Sequence, residues 1–180
     1  MKTTDSPASA DAVARAMLAE FEAELATTRK FLERVPADKL AWRPHEKSMT
    51  AGQLALHVAQ TPLGVLSMAM RDEAPPPNFD KGRQQPASTR EILDALDQSV
   101  AFVRQNLPTL DDRRMAETFK VVAGGRTLMA IHRAAFLRSI LLNHWYHHRG
   151  QLGVYLRLCG AKVPASYGPS GDESPFQNPA

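Results

Sequence analysis

Apolar residues recur at intervals of three and four along four stretches of the chain, and each stretch predicts an amphipathic helix. In the first, Val13, Met17, Leu18, Phe21, Leu25, Leu32 and Val35 mark one stripe of a helix from about Ala10 to Val35. Pro36 ends it. The polar connection 37–49, with Trp42 and Pro44, is expected to fold over the end of the helices. Thr50-Ala51-Gly52-Gln53 reads as a capping box and opens a second helix with Leu54, His57, Val58, Val65 and Met68 on its stripe. Pro62 is expected to kink that helix just past His57, and the pattern fades by about Arg71. Residues 72–86, with Pro75-Pro76-Pro77, predict an extended loop. Ser88-Thr89-Arg90-Glu91 reads as a second capping box. It starts a third helix, whose stripe is Ile92, Leu93, Leu96, Val100, Val103 and Leu107 and which Pro108 stops. Phe119 to Thr127, around Gly124-Gly125, fits either a small hairpin or a loop. A fourth helix is expected from about Ile131 to Cys159, with Gly160 as its cap. The expected fold is all-α: a four-helix bundle over 10–162 with long connecting loops, a loose leader over 1–9 and an extended, irregular tail over 163–180.

The fourth stretch carries the candidate chemistry in Asn143-His144-Trp145-Tyr146-His147-His148-Arg149-Gly150-Gln151-Leu152. His144 and His148 are four apart, which puts both imidazoles on one helix face, roughly 6 Å apart along the axis. Advancing about 100° per residue from His144 places Leu137, Ile140, Leu141, His148, Gln151, Leu152, Tyr155 and Cys159 in one stripe about 120° wide. The histidines thus stand where apolar core residues are expected, and both nitrogens of each ring need partners. A metal ion is one such partner; hydrogen bonding within the core is the other explanation. Of the remaining histidines only His57 lies on the stripe of another long helix. His57, His144 and His148 together offer three nitrogen donors, a set known from catalytic zinc sites with an open fourth position. Imidazole also suits nickel, copper and iron.

The neighbouring residues carry weaker signals. His147 falls at the stripe's edge and reads as a support or surface residue, and His45 and His132 as solvent-facing or locally paired. Gln151 could back a histidine, bind substrate or be a satisfied core amide. Arg149 lies off the stripe as a surface or interhelix contact. Trp145 and Tyr146 are expected to pack on the connecting loops or on a second subunit, and Gly150 and Gly153 to allow close helix packing.

Composition narrows the function classes. In 180 residues, 43% hydrophobic and 23% charged residues are those of one ordinary globular domain. The formal charge of +3 and pI near 9.2 come without a clustered basic face, so nucleic-acid binding is not expected. One cysteine allows no internal disulfide. No signal-like apolar segment follows Met1, and no apolar run approaches the roughly 20 residues that span a bilayer. A cytoplasmic protein is expected. There is no His-Glu-x-x-His, no Gly-x-Ser-x-Gly and no phosphate-binding loop. Cys159 sits near a helix C-terminus, where thiolate is disfavoured.

Leu56-His57-Val58-Ala59, the string His144 to Leu152, Val154-Tyr155-Leu156-Arg157-Leu158 and Tyr167-Gly168-Pro169-Ser170 resemble the DinB/YfiT-like superfamily of four-helix bundles. The resemblance covers most of the chain. It implies a divalent metal, zinc or nickel, held by His57, His144 and His148, and a homodimer. It implies an enzyme acting on a small-molecule substrate, first a thiol-dependent S-transferase using a low-molecular-weight thiol, with a metal-dependent hydrolase as the alternative and a thiol-dependent isomerase also among the relatives. A metal-binding stress-response module without catalysis is the reading from a different class.

Overall fold

Four long helical stretches form where the apolar stripes predict them. The structure, a computed structural model, describes residues 11–78, 84–174 and 176. The leader expected over 1–9 lies outside the described residues, as do the middle of the loop 72–86 and the end of the tail. In chain order, α1 is Ala12–Glu33, α2 is Ala51–Ala69 and a short strand β1 is Glu73–Ala74. Then come α3, Thr89–Asn106, a short α4, Asp112–Ala116, and two strands, β2 Thr118–Ala123 and β3 Arg126–His132. The last stretch begins as α5, Arg133–Phe136, passes through a π-helical segment, Leu137–Asn143, and continues as α6, His144–Leu158.

The middle of the bundle is α2. Leu54, Ala55, Val58, Ala59, Leu66 and Ala69 are all buried, with α3 packed on one flank and α6 on the other. The Thr50 hydroxyl accepts from the Gln53 amide at 3.1 Å and the Gln53 side chain accepts from the Thr50 amide at 3.0 Å, so the predicted capping box is formed. The second box is only half formed. Ser88 caps the Glu91 amide, but the Glu91 carboxylate accepts from Ala87 at 2.8 Å instead of from Ser88. The connection after α1 lies over the start of α2: the Leu40 and Trp42 carbonyls take the amides of Gly52 and Ala51, and the Trp42 ring meets Tyr155 edge-on. The Tyr155 hydroxyl donates to the Met49 carbonyl at 3.3 Å. At the other end the buried Arg133 guanidinium donates to the carbonyls of Ala69 and Arg71, each at 2.7 Å, a cation where the helix dipole is negative. These two contacts make α6 antiparallel to α2.

Pro62 stands inside α2 and has no amide hydrogen to give the Val58 carbonyl one turn back. The Trp145 indole fills that vacancy, donating to Val58 at 2.9 Å. Trp145 is 1% exposed and stacks on Phe21 of α1 with ring centroids 4.9 Å apart. Arg149, one turn on and 2% exposed, donates to the Thr28 hydroxyl at 3.1 Å and pairs with the Glu24 carboxylate at 2.6 Å. Arg149 is therefore an interhelix contact. Tyr146 donates to Glu20 at 2.9 Å and meets Tyr167 of the tail, whose ring also lies against Arg149. Trp145 and Tyr146 thus make their contacts within the chain. Gly153 packs as expected, since a Cβ there would lie 3.1 Å from Phe31, but Gly150 faces open space.

Phe119 to Thr127 resolves as a hairpin. Gly124 and Gly125 turn it at φ +54° and +74°, the left-handed pair of a type I′ turn. β2 also pairs in parallel with β1, giving the order β1-β2-β3. Ile131 belongs to this sheet, opposite Phe119, and not to the fourth helix as expected. At the far end Gly160, at φ +76°, closes α6: its amide bonds to Arg157 and that of Ala161 to Leu156, the Schellman pattern. Among the described residues no helix is long and apolar enough to cross a membrane.

Replacing Trp145 with Phe leaves the Val58 carbonyl buried without a partner and is expected to destabilise the fold by about 1–3 kcal/mol. In a Pro62→Ala background the restored amide competes for that carbonyl, so the same replacement is expected to be milder. Urea unfolding of the four proteins in the cycle measures the difference.

Candidate metal centre

The capped start of α2 fixes the direction in which His57 projects, and α6 begins at His144 itself. The three rings of His57, His144 and His148 meet between the two helices. Ring centroids are 5.2, 4.6 and 4.4 Å apart and the ring planes stand at 84–89° to one another. One nitrogen from each lies within 4.8 Å of the others. A zinc ion with nitrogens at about 2.0–2.1 Å in tetrahedral array needs them roughly 3.4 Å apart, a modest adjustment of this triangle.

Two details of hydrogen bonding bear on that fit. The Gln151 side-chain oxygen accepts from Nδ1 of His148 at 2.8 Å, which leaves Nε2 its lone pair. That Nε2 lies 2.9 Å from Nε2 of His144, so without an ion the two neutral rings share one proton between two acceptor positions. The Ile140 carbonyl favours a protonated His144 ring, yet it closes no hydrogen bond and Nδ1 of His144 is left buried without a partner. Two ring nitrogens facing each other at this distance, with the His57 ring beside them, fit a divalent ion in place of the shared proton.

Electrostatics agree with the geometry. Burial, reinforced by His148 and His144, holds the His57 pKa down to about 4. Burial, with His148 and His147 beside it, does the same to His144, again to about 4. His148 is also lowered by burial, against the opposing pull of its bond to Gln151. Neutral imidazole is the metal-binding form, so all three are ready to bind at neutral pH.

The histidines form part of the wall of a cavity of about 860 Å³ between α2, α6 and the sheet. They are half-buried at the edge of the helix arc, not in the deep core. The buried positions of α6 are Trp145, Arg149, Leu152, Gly153, Tyr155 and Leu156: Leu152 and Tyr155 lie on the expected stripe, while Trp145 and Arg149 stand in the core where the histidines were expected. His147 lines the cavity with its ring 4.8 Å from that of His148, beside the triad but outside it. His45 and His132 pair locally, with the Lys47 amide and the Ala116 carbonyl. Burial raises the Cys159 thiol pKa, in line with its reading as a poor nucleophile.

Sequence reasoning missed most of the wall. Lys47 and Ser48 come from the connection before α2, Gln60 from α2, Val121 and Met129 from the hairpin, and Phe136 from α5. The alternation Thr118-Phe119-Lys120-Val121 was the available signal for the hairpin's part.

A helical bundle whose facing helices bring three neutral imidazoles to one wall of an open cavity has the arrangement of donors from which bundle interiors build metal sites. The chain belongs to the DinB family: the family model matches residues 8–178. YrdA of Bacillus subtilis strain 168 is 29% identical over 161 residues, 86% of each chain. A DinB-like protein of Bacillus cereus ATCC 10987 has the same fold, with TM-score 0.67 and 24% identity over 85% of this chain and 97% of its own. YfiT of Bacillus subtilis matches with TM-score 0.62 and 15% identity over 90% of this chain and 95% of its own. YfiT is described as a probable metal-dependent hydrolase with an unusual four-helix bundle topology. At these identities the solved structures speak for the fold.

An imidazole that ordinarily titrates near 6.5 does so in this fold only near 4 at His57 and His144. Between those values the unfolded chain binds more protons than the folded one, so stability rises with pH there. Metal-free protein is expected to lose thermal stability as pH falls from about 6.5 to about 4, and His57→Leu is expected to flatten that drop. Melting temperatures across the window check both. Gln151→Leu frees the Nδ1 proton of His148 and is expected to weaken metal binding by about 10–100-fold, read by competition with a chelator.

Proposed function

We propose that this protein is a divalent-metal-dependent enzyme acting on a small organic substrate, with His57, His144 and His148 as the protein ligands of the ion. The observation that carries this reading is that three neutral imidazoles converge on the wall of a cavity large enough for a substrate. Three histidines with a position left over are the donor set of catalytic zinc sites, and a closed structural site needs no such cavity. Zinc and nickel both suit the donors. When bound, the ion supplies Lewis-acid activation of a nucleophile, water or thiol, beside the substrate.

The chain's own residues supply the rest. Gln151 holds the Nδ1 proton of His148 and so aims Nε2 at the other two rings. Val65, Met68, Phe136 and Ile140 keep the far wall apolar and restrict water. Ser48 and Gln60 offer hydrogen bonds to a bound substrate.

Hydrolysis is the first version, supported by the description of YfiT. Transfer of a low-molecular-weight thiol to an electrophile is the second. It is favoured by the cavity volume, about 860 Å³, which leaves room for thiol and electrophile side by side.

The test loads the protein with zinc or nickel and measures turnover of activated esters and alkyl halides, with water alone and with added thiols. Turnover without thiol supports the hydrolase and rejects the transferase. Turnover only with thiol does the reverse, and no turnover with either metal leaves a non-catalytic metal-binding module. His144→Ala and His148→Ala are expected to lose both the bound metal and turnover while the bundle still folds on its apolar stripes. His147→Ala is expected to keep its metal, and full metal loss there would show that the ligand set is misassigned. Metal per chain is measured by elemental analysis.

A further inference from the structure

The cavity has a direction. Because α2 and α6 are antiparallel, the start of α2 and the end of α6 share one end of it, where Lys47, Ser48, Met49 and Gln151 stand. The three histidines come next. Val65 lies eight residues beyond His57, about 12 Å along the helix axis, and from there the wall is Val65, Met68, Val121, Met129 and Phe136. One end is thus polar and cationic, the middle carries the histidines, and the other end is apolar.

Charge on the described part of the wall has one sign. Among the described residues lining the cavity there is no aspartate or glutamate, while Lys47 is a cation and a bound ion would add two further positive charges. Apolar walls lower the local dielectric and strengthen the field at the head of the cavity. Methionines at 49, 68 and 129 give a lining that repacks around different apolar shapes.

We propose that the cavity takes an amphipathic organic anion lying along the α2–α6 groove. Its anionic head sits at Lys47 and Ser48, its apolar tail among Met68, Met129 and Phe136, and its middle passes over the three histidines. This names the substrate class of the metal site proposed above and rests on that reading for what happens at the middle of the ligand. The polarity of the two ends stands independently of the ion.

The test uses three probes of equal length, octanoate, octanol and octylamine, with binding measured by calorimetry on metal-loaded and metal-free protein. Octanoate is expected to bind about tenfold more tightly than octylamine to the loaded protein, and more tightly to the metal-free protein as well. Lys47→Glu is expected to weaken octanoate about fivefold or more and to leave octanol within about twofold. Met129→Glu is expected to weaken octanoate and octanol together. Metal per chain, measured separately, should not change in either variant. Octylamine binding as tightly as octanoate, no binding of octanoate, or unchanged octanoate affinity in Lys47→Glu would overturn the proposal. Failure of wild-type protein to take up metal would sink the metal reading alone, and the metal-free comparison would still decide this one.

Discussion

One hydrogen bond, from the Trp145 indole to the Val58 carbonyl, pins α6 to α2 beside the histidines. Pro62 withholds the amide that would satisfy that carbonyl within the helix, and a buried tryptophan needs a partner for its own N–H. Each defect is the other's remedy. Val58 follows His57 and Trp145 follows His144, so the bond that pins the helices also fixes the spacing of the two sides of the histidine cluster. Arg149, next to His148, acts likewise toward α1 through Glu24 and Thr28. The residues beside the histidines hold the framework and leave the histidines themselves uncommitted to it.

The π-helical segment Leu137–Asn143 ends where His144 begins. A π turn closes its hydrogen bonds five residues apart, so Leu142 falls over Leu137, and both are fully buried. Ile140, which an ideal helix would place beside the histidines in the core, instead remains 36% exposed at the cavity. The segment therefore shifts the phase of the helix just before the first ligand candidate. Phe136 and Ile140 become cavity wall while Leu141 and Leu142 stay in the core. π-bulges recur at functional sites for this reason.

Much of this was legible in the sequence. The first three apolar stripes, the Thr50–Gln53 box and the Gly160 cap are local signals with local physics, and they stand in the structure as read. His57, His144 and His148 could be singled out because two lie one helical turn apart and the third shares a stripe with Val58. What was not legible is non-local or breaks ideal periodicity. A wheel at about 100° per residue cannot show a π segment, so it set the histidines in the core and Trp145 and Arg149 outside it, a turn of about one residue from what forms. Arg149 looked polar and exposed because its partners Glu24 and Thr28 are more than a hundred residues away. The cavity wall draws on two loops, a hairpin and four helical pieces, and no window of sequence brings Lys47, Met129 and Phe136 together.

The central claim is that one divalent ion sits among His57, His144 and His148. Anomalous diffraction from crystals of zinc-loaded protein, collected on both sides of the zinc absorption edge, locates such an ion without reference to activity. The account predicts a single strong peak about 2.0–2.1 Å from one ring nitrogen of each of the three histidines, with a coordination position open to the cavity. A peak that leaves out any of the three, one bound instead by His147 or by surface carboxylates, or no peak at all in zinc-saturated protein would contradict it.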